Sequence, residues 1–149
     1  VIMTSSSPER CARLRSLGAD ATIDYVADPQ WDKVVRELTG GQGVDLTVEV
    51  CGAATVDRSV AATRRGGRVA LVGLLTGVPG AVSSLFSAGV NVSPVMVGSR
   101  DDFEAMNRAI DFHTLRPVID SVYPLDRIGD AYRRLATKRA RGKILIEIG

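Results

Sequence analysis

The apolar positions of this chain switch repeatedly between the alternation of a strand and the spacing of a helix. Residues 1–4 predict a first strand. Ser5, Ser6, Ser7 and Pro8 then mark a helix start, with a serine cap, a proline in the first turn and Glu9 near the positive helix end. The helix over 9–17 stops at Gly18, and a short strand follows at 21–24. A second helix over 31–38 ends at Gly40 and Gly41. Residues 44–50 predict a strand with Val44, Leu46, Val48 and Val50 on one face. A helix over 55–63 closes at Gly66 and Gly67, and 68–75 is an apolar strand of the kind buried in a parallel sheet. Residues 77–88 read as a loop with one short helix around 83–86. A strand then runs from Asn91 to Val97. The helix over 101–112 carries Phe103, Met106, Ala109 and Ile110 at helical spacing. A strand at 117–123, a helix over 127–136 capped by Asp126 and a strand at 143–148 complete the chain.

Strands alternating with helices predict an α/β fold, a parallel sheet covered on both faces. The chain has 149 residues, enough for one ordinary core. Its 45% hydrophobic and 24% charged content is that of a soluble globular protein, and no apolar run approaches the ~20 residues of a membrane span. With no leader pattern in view, a cytoplasmic location is expected. The net charge of +2 is too small to argue for nucleic acid. The one dense basic run, 138–143, has two readings, a solvated loop and a phosphate contact. Cys11 and Cys51 have no metal or redox spacing, and the single His113 has no ligand partners nearby in sequence. No metal site is expected within the chain, and no catalytic residue can be assigned: it has no Gly-x-Ser-x-Gly elbow, Walker loop or paired histidines.

Three strand ends carry candidate binding chemistry. The first ends in Ser5 and Ser6 with no carboxylate before Glu9, and Arg10 follows on the next turn. Hydroxyls and a guanidinium there suit a phosphate, and the same serines suit a helix cap. Cys51 and Gly52 end another strand, and Val72, Gly73 and Leu74 end the next. Gly98 and Ser99 follow the strand after that. Glycine lets a ligand approach the backbone, although turns need glycine anyway. Lys143 begins the last strand, where it could reach an anion or blunt a sheet edge.

Several phrases together resemble the medium-chain dehydrogenases, the zinc-type alcohol dehydrogenase family. They are Thr4-Ser5-Ser6-Ser7, Leu17-Gly18-Ala19-Asp20, the run from Glu37 to Gly52, the run from Gly66 to Gly73, Val97-Gly98-Ser99-Arg100 and Gly142-Lys143-Ile144-Leu145-Ile146. The resemblance covers the whole chain. It implies a Rossmann-like doubly wound parallel sheet over residues 1–99, without its first strand and its G-x-G-x-x-G loop, and a β-α-β segment over 100–149 returning to the catalytic domain. Strand order 3-2-1-4-5-6 would then leave a slot of roughly two strand spacings, ~10 Å, in mid-sheet. Either a partner segment fills that slot or the sheet closes up with an unusual pairing.

The same resemblance implies the chemistry. Ser5, Ser6 and Arg10 would surround the 2′-phosphate of NADP, with NAD the other possibility. Cys51 and Gly52 would lie along the adenosine side, Val72, Gly73 and Leu74 at the nicotinamide ribose or carboxamide, Gly98 and Ser99 near the nicotinamide side, and Lys143 against the pyrophosphate. The expected activity is hydride transfer between a nicotinamide cofactor and a small alcohol, aldehyde or ketone, with zinc held by an amino-terminal domain outside this sequence. This chain alone is expected to be inactive. The alternatives are a zinc-free quinone or enoyl reductase of the same superfamily and a non-catalytic nucleotide-binding or dimerisation module. The strand from Asn91 to Val97 is expected to join copies into a homodimer or tetramer.

Overall fold

Strand β1 (Ile2–Ser5) pairs in parallel with β2 (Ala21–Asp24), and helix α1 (Pro8–Ser16) makes the crossover. In this computed structural model, residues 1–80 and 88–149 are described. The short helix expected around 83–86 lies outside them. Ser7 caps α1 through its hydroxyl, which accepts the Arg10 amide at 3.3 Å, and Pro8 occupies the first turn. Helix α2 (Trp31–Leu38) follows, then β3 (Val44–Glu49), helix α3 (Val56–Ala62), β4 (Thr63–Leu71) and β5 (Asn91–Pro94). The last three strands form a parallel sheet in the order β3-β4-β5.

Among the described residues no strand pairs β1 with β3, so the two sheets remain separate. Helices hold them together instead. Ile23 of β2, Val35 of α2 and Ala62 of α3 form one core cluster, with Ile2, Trp31, Val34 and Val44 packed on it. Arg36 reaches from α2 to the carbonyls of Ala61 (2.8 Å) and Thr63 (2.9 Å), and to those of Gly41 and Gln42. Arg58 of α3 pairs with Asp32 of α2 at 2.7 Å. The expected closing-up of the sheet by unusual pairing does not occur among the described residues: helix packing, Arg36 and Arg58 keep the two sheets in place.

Some element boundaries differ from the sequence expectation for local reasons. Helix α3 ends at Ala62, and β4 begins at once with the buried Thr63, whose hydroxyl donates to the Ser59 carbonyl and pairs with Thr47. Gly66 and Gly67 do not close a helix. They lie in a bulge of β4, between the Val44–Thr63 and Leu46–Arg68 pairs. Strand β4 stops at Leu71 because the amides of Val72 and Gly73 both turn to the Glu49 carbonyl. Strand β5 stops at Pro94, which has no N–H; the Val95 amide makes one more bond, to the Leu71 carbonyl.

The core of this sheet lies on the α3 side. Val60 of α3, Val69 of β4 and Val90 are buried together, with Val92 packed against them. Strand β3 turns its polar positions, Thr47 and Glu49, to that side. Leu46 and Val48 on the apolar face are 52% and 60% exposed.

The chain divides into two compact units, Val1–Met96 and Val97–Gly149. In the second, helix α4 (Arg100–Phe112) precedes β6 (Ile119–Pro124). A 3₁₀ turn (Leu125–Arg127) then leads into helix α5 (Ile128–Ala136), and β7 (Lys143–Glu147) pairs in parallel with β6. This is the β-α-β segment expected from the sequence. Asp126 is not the cap of α5. It lies inside the 3₁₀ turn, and α5 starts without a side-chain cap.

Candidate functional site

The carboxyl ends of β3 and β4 are adjacent because the strands run parallel, in register from Leu46–Arg68 to Glu49–Leu71. The turns after them are Val50-Cys51-Gly52 and Val72-Gly73-Leu74, so five of the candidate binding residues come together here. The turns are knit closely. The Cys51 carbonyl accepts the amide and the hydroxyl of Thr76, both at 2.8 Å, and the Ala53 amide donates to the Gly77 carbonyl at 3.1 Å. Gly52 has φ +96°, and a Cβ there would lie 2.6 Å from the Gly77 carbonyl oxygen. At Gly73 a Cβ would meet the Val50 carbonyl oxygen at 1.9 Å. Neither position admits a side chain, which gives the site bare backbone at its centre.

One carboxylate organises both turns. Glu49, the last residue of β3, is only 4% exposed. Its Oε1 accepts the amides of Cys51 (2.7 Å) and Gly52 (3.0 Å) and the hydroxyl of Thr55 (2.8 Å). Its Oε2 accepts the hydroxyl of Ser59. Burial opposes ionisation of Glu49, but the donations from Ser59, Gly52, Thr55 and Cys51 outweigh it and hold its pKa below the ordinary 4.5. The backbone carbonyl of Glu49 takes the amides of Val72 (2.8 Å) and Gly73 (3.2 Å). Sequence reasoning passed over this residue. The available signal was a carboxylate on the inward phase of a strand, followed by two hydroxyls, Thr55 and Ser59, one helical turn apart.

Ser5, Ser6 and Arg10 gather at the carboxyl end of β1. Arg10 donates from Nη1 to the Ser6 hydroxyl at 3.1 Å. The pairing of β1 with β2 also places Asp24 opposite Ser5. Asp24 Oδ1 accepts the amides of Val26 and Ala27, closing the turn after β2. A carboxylate therefore does stand beside the serines, contributed by the neighbouring strand, where linear reading found none.

Gly98, Ser99 and Lys143 belong to the second unit. Ser99 forms a capping box on α4: its hydroxyl accepts the Asp102 amide, and Asp102 takes the Ser99 amide at 2.7 Å. Lys143 is exposed at the start of β7, and its amide donates to the Val118 carbonyl. The turn before it is tied by Asp120. Arg134 donates to both Asp120 oxygens (2.9 and 2.8 Å), and the Arg141 amide adds a 2.7 Å bond. The Arg134 guanidinium and the Arg141 amide hold the Asp120 carboxyl well below the usual carboxylate range.

A nicotinamide dinucleotide fits the first unit in one respect, the bare backbone shared by two adjacent strand ends. Zinc does not: among the described residues no group of three His, Cys, Asp or Glu side chains could hold a metal ion. Cys11 is buried, Cys51 is half-buried, and both are free thiols. No described helix is long and apolar enough to cross a membrane.

The family model described as zinc-binding dehydrogenase matches residues 1–111. A zinc-type alcohol dehydrogenase-like protein of Schizosaccharomyces pombe is 29% identical over 99% of this chain and 44% of its own length. A 2-haloacrylate reductase of Burkholderia is 27% identical over 98% of this chain and 47% of its own. Among solved structures, one from Sinorhizobium meliloti, provisionally assigned as an alcohol dehydrogenase, superposes with a TM-score of 0.88. It is 35% identical and covers 99% of this chain and 43% of its own. A mycobacterial protein solved with NADPH gives a TM-score of 0.79 and 30% identity, over 99% of this chain and 50% of its own. The chain thus spans about half the length of its relatives or less. Its parallel strands and the match over residues 1–111 place it in the zinc-binding dehydrogenase family.

Proposed function

We propose that this chain supplies the cofactor-binding side of an NAD(P)-dependent oxidoreductase acting on a small alcohol or carbonyl compound. The observation that carries this reading is the convergence of Cys51, Gly52, Val72, Gly73 and Leu74 at two adjacent strand ends. In open α/β sheets, ligands bind outside the carboxyl ends of the strands. The nicotinamide ring supplies the hydride chemistry when bound; the chain's own groups bind and orient it. The Cys51-Gly52 and Val72-Gly73-Leu74 turns form the wall behind the cofactor. Ser5, Ser6 and Arg10 take the adenosine end, with NADP preferred, and Asp24 beside Ser5 is the feature that works against a 2′-phosphate. Gly98, Ser99 and Lys143 remain proposed contacts of the cofactor. Zinc, where the whole protein uses it, takes its ligands from outside the described residues. The similarity to a 2-haloacrylate reductase favours a second reading, reduction of an activated double bond by the same cofactor.

Isothermal titration of NADPH and NADH into the 149-residue chain and its Arg10→Ala variant tests the reading. Both dinucleotides should bind the parent chain, and the variant should lose about tenfold or more for NADPH while changing little for NADH. A folded chain that binds neither dinucleotide overturns the proposal. Equal loss for both leaves NADP preference without support from Arg10.

The end of β5 suits a twofold contact between copies, giving a homodimer or a tetramer. Met96 and Val97 are 81% and 94% exposed, and Pro94 leaves the strand short. Leu85 and Phe86, apolar residues of the connection before this strand, lie outside the described residues. Sedimentation at micromolar concentration should find a dimer that charged substitutions at Val95 and Val97 dissociate.

A further inference from the structure

Four amide hydrogens at the candidate site are directed at one residue. Cys51 and Gly52 give theirs to the Glu49 carboxylate, and Val72 and Gly73 give theirs to the Glu49 carbonyl. The remaining polar groups of the 51–52 turn are also satisfied internally. The Cys51 carbonyl accepts from Thr76, and the Gly52 carbonyl accepts the amides of Thr55 and Val56. The carboxylate has no cation among these partners. Two amides and the hydroxyls of Thr55 and Ser59 solvate it in a site almost closed to water. A buried carboxylate is costly unless fully hydrogen-bonded, and here the partners are the turns themselves. A neutral apolar residue at this position would leave two amides and two hydroxyls without acceptors.

We propose that Glu49 is a positioning residue for cofactor binding: it draws the amides of both turns inward and fixes the backbone surface on which the dinucleotide rests. This inference rests on the cofactor reading above. Glu49 does not touch the ligand and acts through Cys51, Gly52, Val72 and Gly73. With those four amides engaged, none of them is available to an added anion. The geometry of the turns therefore depends on one carboxylate in the layer beneath them. Thr55 and Ser59 hold that carboxylate from α3, so the helix after the turn is part of the same device.

The test is dinucleotide titration of the full chain, Glu49→Gln and Glu49→Ala, each checked for fold by circular dichroism. Glu49→Gln keeps the shape and one acceptor oxygen, and should weaken NADPH and NADH alike by about threefold to tenfold. Glu49→Ala should lose more, and added formate should recover part of the loss by refilling the vacated space with a carboxylate. A merely structural role would lower the melting temperature and leave affinity unchanged, and formate would restore nothing. Should Glu49→Ala fail to fold, Glu49→Gln and Thr55→Val still decide, because each removes part of the network and keeps the rest. Binding by the parent with unchanged affinity in the folded variants defeats this proposal alone. A parent chain that binds no dinucleotide defeats the cofactor reading and this one with it. Amide exchange at Cys51 and Gly52 separates the two failures, since its acceleration in Glu49→Gln depends on the network and not on the ligand.

Discussion

Glu49 and Asp120 solve the same problem in different ways. Each is a carboxylate at a parallel strand that fastens a turn carrying candidate binding residues. Glu49, buried in the first unit, is held by two amides and two hydroxyls. Asp120, in the second, is held by the two-pronged Arg134 guanidinium, by the Arg141 amide and by the Ser121 hydroxyl. Arg134 is about a third exposed, with side-chain accessibility of 34%. The first arrangement solvates a charge with oriented dipoles. The second neutralises it with a countercharge whose own side chain reaches water. The contrast teaches that a buried anion can be satisfied without a cation when the backbone supplies the donors, and that such a site is coupled to the shape of its turns.

The largest expected effect comes from removing the acceptor that has no substitute. Glu49→Ala leaves two amides and two hydroxyls unpaired and opens a cavity, which should cost about 3 kcal/mol or more. Glu49→Gln should cost about 1–2 kcal/mol. Arg134→Met should cost less than Glu49→Ala, because Asp120 keeps the Arg141 amide and the Ser121 hydroxyl. Urea unfolding is followed by Trp31 fluorescence for the first unit, which holds the only tryptophan of the chain, and by circular dichroism and the emission of Tyr123 and Tyr132 for the second, which holds Arg134. Equal losses for Glu49→Ala and Arg134→Met would erase the contrast.

Much of this arrangement was legible in the sequence, and the illegible part has definite causes. The Glu37 to Gly52 run placed the strand and its turn, and the order of strands and helices placed the parallel pairing. Two features escaped. Alternation in β3 marked Val44, Leu46, Val48 and Val50 as one face, but alternation alone does not say which face a helix covers. Helix α3 covers the other face, and hydroxyls from Thr55, Ser59 and Thr63 make that side polar. Gly66 and Gly67 resembled a helix stop because glycine pairs serve both stops and bulges. The pairing of Thr63 with Val44 decided between them, and that contact spans nineteen residues. In the candidate site, the glycines marked the two turns, whereas Asp24 beside Ser5 and Glu49 beneath Cys51 are products of pairing and burial that linear order does not display.

Acid should sharpen the comparison next. Glu49 has a folded-state pKa below its ordinary 4.5, so the unfolded chain binds the proton more readily in the interval between the two values. Its stabilisation is complete above about pH 4.5 and is lost as the pH falls through the folded value. Asp120 has the same sign: its contribution is complete above the ordinary 3.8 and is lost only in stronger acid, because Arg134 holds the carboxyl far down. Acid titration followed by Trp31 fluorescence should therefore show a steeper fall below pH 4.5 in the parent than in Glu49→Gln, which has no proton to take up at that position. Identical acid limbs would mean that Glu49 titrates alike in both states.

The smallest expected effect is the response to salt, and it separates the two arrangements by mechanism. Raising sodium chloride to about 1 M shortens the Debye length to ~3 Å and screens charges that reach water. Arg134 is partly exposed, so part of its attraction to Asp120 should be screened, and the stability difference between the parent and Arg134→Met should shrink. Glu49 interacts with fixed amides and hydroxyls inside the fold, where mobile ions do not enter, so the Glu49→Gln difference should hold constant. Thermal unfolding of the three proteins at low and high salt makes the comparison, and general salt effects cancel because each variant is referred to the parent under the same condition. A Glu49→Gln difference that shrinks in step with that of Arg134→Met would place an unrecognised countercharge near Glu49 and end the distinction between a charge solvated by dipoles and a charge neutralised by its pair.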